Sequence, residues 1–239
     1  MRKNILIVPI LFFFFTLKAQ SWKAVEGKMT SKWAKKVTPE NVWQEYPRPQ
    51  FERSQWKSLN GLWDFAVMKN KQVQPKRFQG KILVPFSFES TLSGVGQKIN
   101  PEDKMWYKKT FSLPKKWGEK DVLIHFEAVD YSCTVWVNDI LVGSHKGGFD
   151  RFSFNITPYL KASGNQKIVL AVTDRTNFSS QPRGKQQINA SGIYYTPVSG
   201  IWQTVWLESV SSETYLKEVK TITNIDQNKV TIIPFSNIP

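Results

Sequence analysis

Short stretches of alternating apolar and polar residues recur between residues 56 and 235, with turn-forming residues between them. Every second side chain is apolar in Trp63–Val67, in Val122–Ala128 and in Cys133–Val137. A period of two is typical of strands that bury one face, and no segment after residue 45 sustains the 3.6-residue period of a helix. The pattern predicts an all-β fold, an antiparallel sandwich or jelly roll.

The stretch Gly200–Glu208 is apolar on both faces if it forms one strand. Ile201 and Val205 would then share one face, and Trp202 and Trp206 would share the other. Because a half-exposed strand is polar on one side, this one must be covered twice. One cover is the sandwich itself. The second is either the rest of this chain's own core, a neighbouring domain or a sugar ring.

Residues 174–199 interrupt the strand pattern with a long polar segment that contains arginine, lysine, glutamine and tyrosine. Loops of this length in a compact domain are commonly functional or disordered. Sugars offer C–H faces to aromatic rings and hydroxyl groups to amides, guanidinium groups and carboxylates. The segment therefore suits carbohydrate, and an ordinary polar surface loop is the alternative.

The formal net charge is +14, and 41% of the 239 residues are hydrophobic, which is enough for a substantial core. The lysines and arginines are scattered and form no stripe or nucleic-acid motif. We therefore interpret them as solvated surface charge and expect no nucleic-acid partner.

Residues 1–19 have the layout of a secretory signal peptide: a basic start, an apolar run over Ile5–Leu17 and a plausible cleavage position after Ala19. The run is shorter than the ~20 apolar residues of a membrane-spanning helix. No cysteine follows it to carry a lipid anchor. We expect a secreted or periplasmic protein with no membrane span, in which residues 20–44 are a linker or N-terminal extension.

Motifs for metal or nucleophilic chemistry are missing from the sequence. Neither His125 nor His145 has a second ligand at metal spacing, and Cys133 is the only cysteine, so it cannot form an internal disulfide. We expect no metal and no cofactor, and the residues alone identify no catalytic side chain.

Several segments, taken together and in order, resemble the N-terminal sugar-binding domain of glycoside hydrolase family 2, the β-galactosidase and β-glucuronidase family. Each motif alone is weak, but the ordered set is specific. The segments are LNGLW at 59–63, VPF at 84–86, WYKKTF at 106–111, VWVN at 135–138, VGSHKGGF at 142–149 and GIWQTVWLE at 200–208.

The resemblance implies a jelly-roll sandwich of the galactose-binding-domain type at residues 45–212. An immunoglobulin-like sandwich follows in the family, and residues 213–239 would be its first strands. A (β/α)₈ barrel then carries both catalytic glutamates of a retaining mechanism. This implies that no catalytic residue lies in the present chain and that the chain stops before the barrel.

Loops of the first domain help to shape the substrate pocket in this family, and by position the segment before Gly200 would be the one that reaches it. The substrate-binding residues that the resemblance implies here are Arg183, Lys185, Gln186, Tyr194, Tyr195 and Trp202.

The leading hypothesis is the N-terminal domain of a secreted, retaining, β-galactosidase-like enzyme that acts on β-galactoside or β-glucuronide ends of glycans. Its expected partners are carbohydrate and the missing C-terminal sandwich and barrel domains. The alternatives are a stand-alone carbohydrate-binding module without hydrolytic activity and a structural or partner-binding sandwich.

Overall fold

The computed structural model describes residues 22–69 and 73–238, so the predicted signal peptide lies outside the described residues. Nearly all regular structure in these ranges is strand, and the helices are single 3₁₀ turns. The 3₁₀ turns are Ala34–Lys36, Thr91–Ser93, Lys115–Trp117, Thr157–Tyr159 and Thr176–Phe178. The strands are β1 (Trp56–Ser58), β2 (Gly61–Lys69), β3 (Gly80–Val84), β4 (Asp103–Phe111), β5 (Asp121–Phe126), β6 (Val129–Asp130), β7 (Ser132–Val137), β8 (Ile140–Lys146), β9 (Phe152–Asn155), β10 (Gln166–Thr173), β11 (Gly200–Ile201), β12 (Val205–Val210), β13 (Leu216–Asn224) and β14 (Lys229–Ser236).

Two antiparallel sheets form the body of the molecule. One has four strands in the order β1-β12-β5-β9, and the other has six in the order β3-β2-β4-β10-β7-β8. Trp63, Tyr107 and Leu170 of the larger sheet share one buried core with Ile124 and Leu207 of the smaller sheet. The predicted all-β jelly-roll sandwich is confirmed, and it forms because the alternating residues give each sheet one continuous apolar face.

The turn between β7 and β8 shows how local sequence sets the strand pairing. Asn138 and Asp139 both have positive φ, at 50° and 69°. Two such residues make the kind of tight turn whose twist matches that of the strands on either side. The two-residue hairpin predicted there is confirmed, and it sets the register in which Val137 faces Ile140.

The single strand predicted at residues 200–208 is wrong, because the structure divides it. Gly200 and Ile201 pair with β6, whereas Val205 begins β12, which lies between β1 and β5. The side chain of Asn60 holds the bend between them. Its Oδ1 accepts from the backbone N–H of Val205 at 3.0 Å, and its Nδ2 donates to Thr204 Oγ1 at 3.3 Å.

Trp206 lies on the outer face of the four-stranded sheet and is nevertheless only 1% exposed. Its ring stacks on His125 with centroids 4.1 Å apart, and its Nε1 donates to Glu127 Oε1 at 2.8 Å. Tyr46 meets it edge-on at 5.4 Å, and the guanidinium of Arg48 lies 5.0 Å from the ring centroid. The second cover is therefore residues 45–53, which we call the lead-in segment, rather than a sugar or another domain.

The described part of the predicted extension, residues 22–44, also contacts the sandwich. Val42 is buried, the backbone N–H of Val25 donates to Thr91 O at 3.0 Å, and Trp22 Nε1 donates to Leu92 O at 3.2 Å. The segment therefore packs against the connection that follows β3.

Strands β13 and β14 pair only with each other and form a hairpin after the sandwich. Apolar side chains on it, including Ile222, Val230 and Ile232, are exposed. Arg53 of the lead-in segment joins the hairpin to the body by donating to Leu216 O and lying over the ring of Tyr215 at 5.8 Å. That this hairpin begins an immunoglobulin-like sandwich stays a prediction.

We expect Trp206→Ala to lower the free energy of unfolding by about 3–5 kcal/mol, because the substitution leaves a cavity under the lead-in segment. Urea denaturation of both proteins measures the change. As a control, Trp33→Ala removes an indole that is 59% exposed and should change the free energy of unfolding by no more than about 0.5 kcal/mol. Equal effects of the two substitutions would contradict the burial of Trp206.

Candidate functional site

The segment 174–199 leaves β10 and returns to β11 as an irregular loop that is folded onto itself. The backbone N–H of Gln187 donates to Tyr195 O, and that of Tyr195 donates to Lys185 O, both at 2.9 Å. A short parallel bridge joins Gln186 to Tyr195 in the same place. The two legs of the loop are therefore bonded together near its exposed end.

Asp174 anchors the base of this loop from a buried position. Its Oδ1 accepts from the backbone N–H of Thr176 and from Gln181 Nε2, both at 2.7 Å. Its Oδ2 accepts from Thr176 Oγ1 at 3.1 Å and from Ser199 Oγ at 2.7 Å. One carboxyl group thus joins the first residues of the loop to the last one before Gly200, as expected for a buried polar group, which must find hydrogen-bond partners.

Two further carboxyl groups lie beside Asp174. Glu89 Oε2 accepts from the backbone N–H of Ser199 at 2.9 Å, and burial, with a smaller effect of the Asp174 charge, raises the pKa of Glu89 to about 7. Burial, followed by the charges of Asp174 and Glu89, raises the pKa of Asp130 to about 8. Three acids in a low-dielectric interior cannot all ionise cheaply, so protons are retained under the loop near neutral pH.

Two glycines allow this packing. A Cβ atom at Gly148 would lie 2.6 Å from Asp130 Cγ, and one at Gly200 would lie 1.9 Å from Tyr107 Oη. Gly200 also has a φ of +84°, a conformation that side chains with a Cβ rarely adopt. The segments carrying these glycines approach their neighbours more closely than any other residue would permit.

Three of the six predicted site residues present free side chains at the end of the loop. Lys185 is exposed, and the rings of Tyr194 and Tyr195 are 41% and 63% exposed. The backbone hydrogen bonds between Tyr195 and residues 185 and 187 bring these exposed residues to the same end of the loop.

Arg183 and Gln186 support the loop from within. Arg183 Nη1 donates to Gln186 O at 2.8 Å, and Gln186 Oε1 accepts from the backbone N–H of Val198 at 2.6 Å. Trp202 lies apart from them: its Nε1 donates to Gly148 O at 2.8 Å and its half-buried ring meets Phe149 edge-on at 6.2 Å. The structure thus brings five of the six residues into one loop and places Trp202 beside the connection between β8 and β9.

The buried acids Glu89, Asp130 and Asp174 were not among the residues that the sequence predicted. Glu89 follows β3, Asp130 ends β6 and Asp174 follows β10, so no spacing along the chain links them. The available signal was local: Asp174 stands two residues before Thr176, the arrangement of an Asx turn that can begin a loop.

Within the described ranges, no three His, Cys, Asp or Glu residues are placed to hold a metal ion. In the same ranges, no helix is long and apolar enough to cross a lipid bilayer.

Comparison with known proteins places this geometry in a family. The family model for the sugar binding domain of glycosyl hydrolases family 2 matches residues 56–208, which is more than half of the chain. The chain therefore belongs to that family, and the resemblance read from the motifs is confirmed.

Curated relatives include enzymes of both activities named in the family. A β-galactosidase of Thermoanaerobacter pseudethanolicus is 31% identical over 125 residues, covering 52% of this chain and 16% of the relative. A β-galactosidase of Bacteroides ovatus is 30% identical over 160 residues, which cover 67% of this chain and 15% of the relative. The β-glucuronidase of Mus musculus is 26% identical over 207 residues, which cover 72% of this chain and 31% of the relative. The chain thus spans less than a third of the length of these relatives.

Solved structures share the fold. The β-glucuronidase of Faecalibacterium prausnitzii superposes with a TM-score of 0.60 at 22% identity, over 80% of this chain and 37% of its own. The β-glucuronidase of Dictyoglomus thermophilum gives the same TM-score and identity, and the match covers 80% of this chain and 34% of that enzyme's chain.

The raised carboxyl pKa values predict a stability that falls with rising pH. The pKa of Glu89 rises from 4.5 to about 7, and that of Asp130 rises from 3.8 to about 8. At a pH between the ordinary and the raised value of each group, the folded protein therefore binds a proton that the unfolded chain has lost. The free energy of unfolding should therefore decrease from pH 5 to pH 8, as measured by urea denaturation. Asp130→Asn removes one of the two titrating groups, so the free energy of unfolding should change less steeply with pH. An unchanged pH dependence would contradict the raised pKa of Asp130.

Proposed function

We propose that the chain is the sugar-facing domain of a secreted, retaining, β-galactosidase-like hydrolase, and that the end of loop 174–199 contacts the sugar. One observation carries this proposal: Tyr194 and Tyr195 are exposed rings on a loop whose base is held by buried hydrogen bonds. A site whose supporting contacts are already made loses little entropy when it binds its ligand.

The chemistry of the exposed side chains supports a carbohydrate ligand. A tyrosine ring packs against sugar C–H groups, and its hydroxyl group exchanges hydrogen bonds with those of the sugar. Lys185 beside Tyr195 adds an ammonium group, which donates to hydroxyl groups and also pairs with a carboxylate. The surface therefore suits the end of a β-galactoside, and equally that of a β-glucuronide.

We assign hydrolysis to a barrel domain supplied with this one, as the family resemblance implies. A retaining mechanism needs two accessible carboxyl groups ~5–5.5 Å apart. The three carboxyl groups beneath the loop are all buried, and Asp174 already accepts four hydrogen bonds. They support the loop and do not act on the substrate.

The second candidate is a stand-alone carbohydrate-binding module. It is supported by the fact that loop 174–199 is held by hydrogen bonds to its own residues and to Glu89 of the same chain. In that case the chain binds sugar without any catalytic partner. Secretion belongs to both candidates and rests on the pattern of residues 1–19.

The 239-residue chain by itself should not hydrolyse nitrophenyl β-galactoside or nitrophenyl β-glucuronide, because the three acids beneath loop 174–199 are buried and the family resemblance assigns both catalytic glutamates to the barrel. Release of nitrophenol by the purified chain measures this. Turnover that Asp174→Asn or Glu89→Gln abolishes, in a variant with an unchanged circular dichroism spectrum, would refute the assignment of hydrolysis to a barrel.

Tyr195→Ala should weaken the binding of methyl β-glucuronide by about tenfold, because it removes the most exposed ring of the loop. Isothermal titration calorimetry of the purified chain provides the measurement. Phe235→Ala, which removes a half-exposed ring from the hairpin, is the matched control and should leave the affinity unchanged. Loss of binding in both variants, or in neither, would count against the loop as the sugar site.

A further inference from the structure

A cavity of about 530 Å³ lies on the outer face of the four-stranded sheet. Its volume falls in the range of small-molecule sites. Leu123, His125 and Trp206 form its floor, and no residue of loop 174–199 lines it. Its sides come from the lead-in segment, the edge strand β9 and the start of the hairpin, through Gln50, Phe51, Arg151, Ser153, Tyr215 and Lys217. We call this cavity the sheet-face groove.

Buried ion pairs hold the floor of the sheet-face groove. Glu208, only 1% exposed, pairs with Arg48 at 2.8 Å and with Arg53 at 2.7 Å. Its Oε1 also lies 3.0 Å from Nε2 of His125. Burial alone would raise the pKa of Glu208, but the hydrogen bonds from His125 and Arg48 hold it at about 2. Glu208 is therefore ionised, and the floor is formed before any ligand arrives.

The position of the proton on His125 follows from the ionisation of Glu208. Because an ionised carboxylate only accepts hydrogen bonds, we assign the proton of His125 to Nε2, which faces Glu208 Oε1 at 3.0 Å. Nδ1 then accepts from the hydroxyl group of Ser153. Burial lowers the pKa of His125, so the imidazole is neutral at pH 7. The lone pairs of the Ser153 oxygen remain available at the mouth of the groove.

Charges of both signs line the sheet-face groove. Arg48, Arg151 and Lys217 contribute positive charges, and Glu127, Glu208 and Glu218 contribute carboxylates. Arg53 lies outside the lining and forms the second ion pair of Glu208. The groove is therefore not lined by a single sign of charge, which is what concentrates an ion in a cleft.

Several polar groups at the rim are not used by the fold. The exposed side chains of Gln50, Arg151, Lys217 and Glu218 make no hydrogen bond or ion pair with any other residue in ranges 22–69 and 73–238. Together they present an amide, a guanidinium, an ammonium and a carboxylate beside the half-buried ring of Tyr215. Donors and acceptors beside the apolar surfaces of Leu123 and Tyr215 match a ligand with many neutral hydroxyl groups.

We propose that the sheet-face groove is a binding site for a neutral saccharide, separate from loop 174–199. Arg151 and Ser153 at the edge of β9 and Gln50 of the lead-in segment bind the sugar hydroxyl groups. Tyr215 and Leu123 contact its C–H groups.

The two histidines provide a direct test. Lactose is titrated into the 239-residue chain, and the imidazole signals of His125 and His145 are followed by ¹H–¹⁵N NMR. A sugar hydroxyl group at Ser153 perturbs the hydrogen bond to Nδ1 of His125, so the His125 signal should shift and saturate. His145 does not line the groove and serves as the internal reference.

Arg151→Ala should raise the lactose concentration needed for half of the His125 shift by about tenfold. Because Arg151 makes no contact that the fold uses, the variant should stay folded. Arg77→Ala removes a guanidinium group from an exposed position outside the groove and should leave the half-saturating lactose concentration unchanged. Tyr195→Ala should also leave the His125 response intact, which separates this site from the loop.

Three results would overturn the proposal. The first is a His125 signal that lactose does not move, and the second is a shift that Tyr195→Ala abolishes but Arg151→Ala does not. The third is a lower half-saturating concentration for glucuronic acid than for lactose, which would show that the groove selects an acidic sugar. The loop proposal fails separately, if Tyr195→Ala leaves the calorimetric binding of methyl β-glucuronide unchanged.

Discussion

The buried carboxylate of Glu208 joins the three parts of this molecule. It lies on the outer face of β12 and pairs with Arg48 and Arg53 of the lead-in segment. Arg53 continues to the first strand of the hairpin. A buried anion without partners would cost several kcal/mol, so the lead-in segment has to cross this face of the sheet. In doing so it covers Trp206, which would otherwise expose a large indole on an open sheet face.

A second set of buried acids also joins separate segments of the chain, at one end of the sandwich. Asp174 and Glu89 both bond Ser199, one at its hydroxyl group and one at its backbone N–H. The long polar loop between β10 and β11 is therefore held at its base, while Tyr194 and Tyr195 remain exposed at its tip. Rigidity at the base and exposure at the tip are the two properties that a loop needs to bind sugar with little loss of entropy.

The two surfaces differ in how they are built. The loop offers exposed aromatic rings and a cation, whereas the sheet-face groove has a floor fixed by buried ion pairs and a polar rim. In the groove, His125 and Arg48 occupy the faces of Trp206, so the proposed saccharide site relies on the polar rim and on Tyr215. The two surfaces proposed here are therefore chemically distinct, and different side chains form each of them.

The sequence by itself determined the alternating strands, the turn at Asn138–Asp139 and the family, because side-chain alternation and turn conformation are local properties of the chain. It also located the loop that carries Tyr194 and Tyr195. Only the tertiary structure decided that residues 200–208 bend, that Trp206 is sealed by the chain's own lead-in segment and that three acids meet under one loop. These outcomes depend on contacts between residues far apart in the chain, such as Arg48 and Glu208, which are separated by 160 positions. No local pattern records such a contact, because it exists only after the sheets have paired and packed.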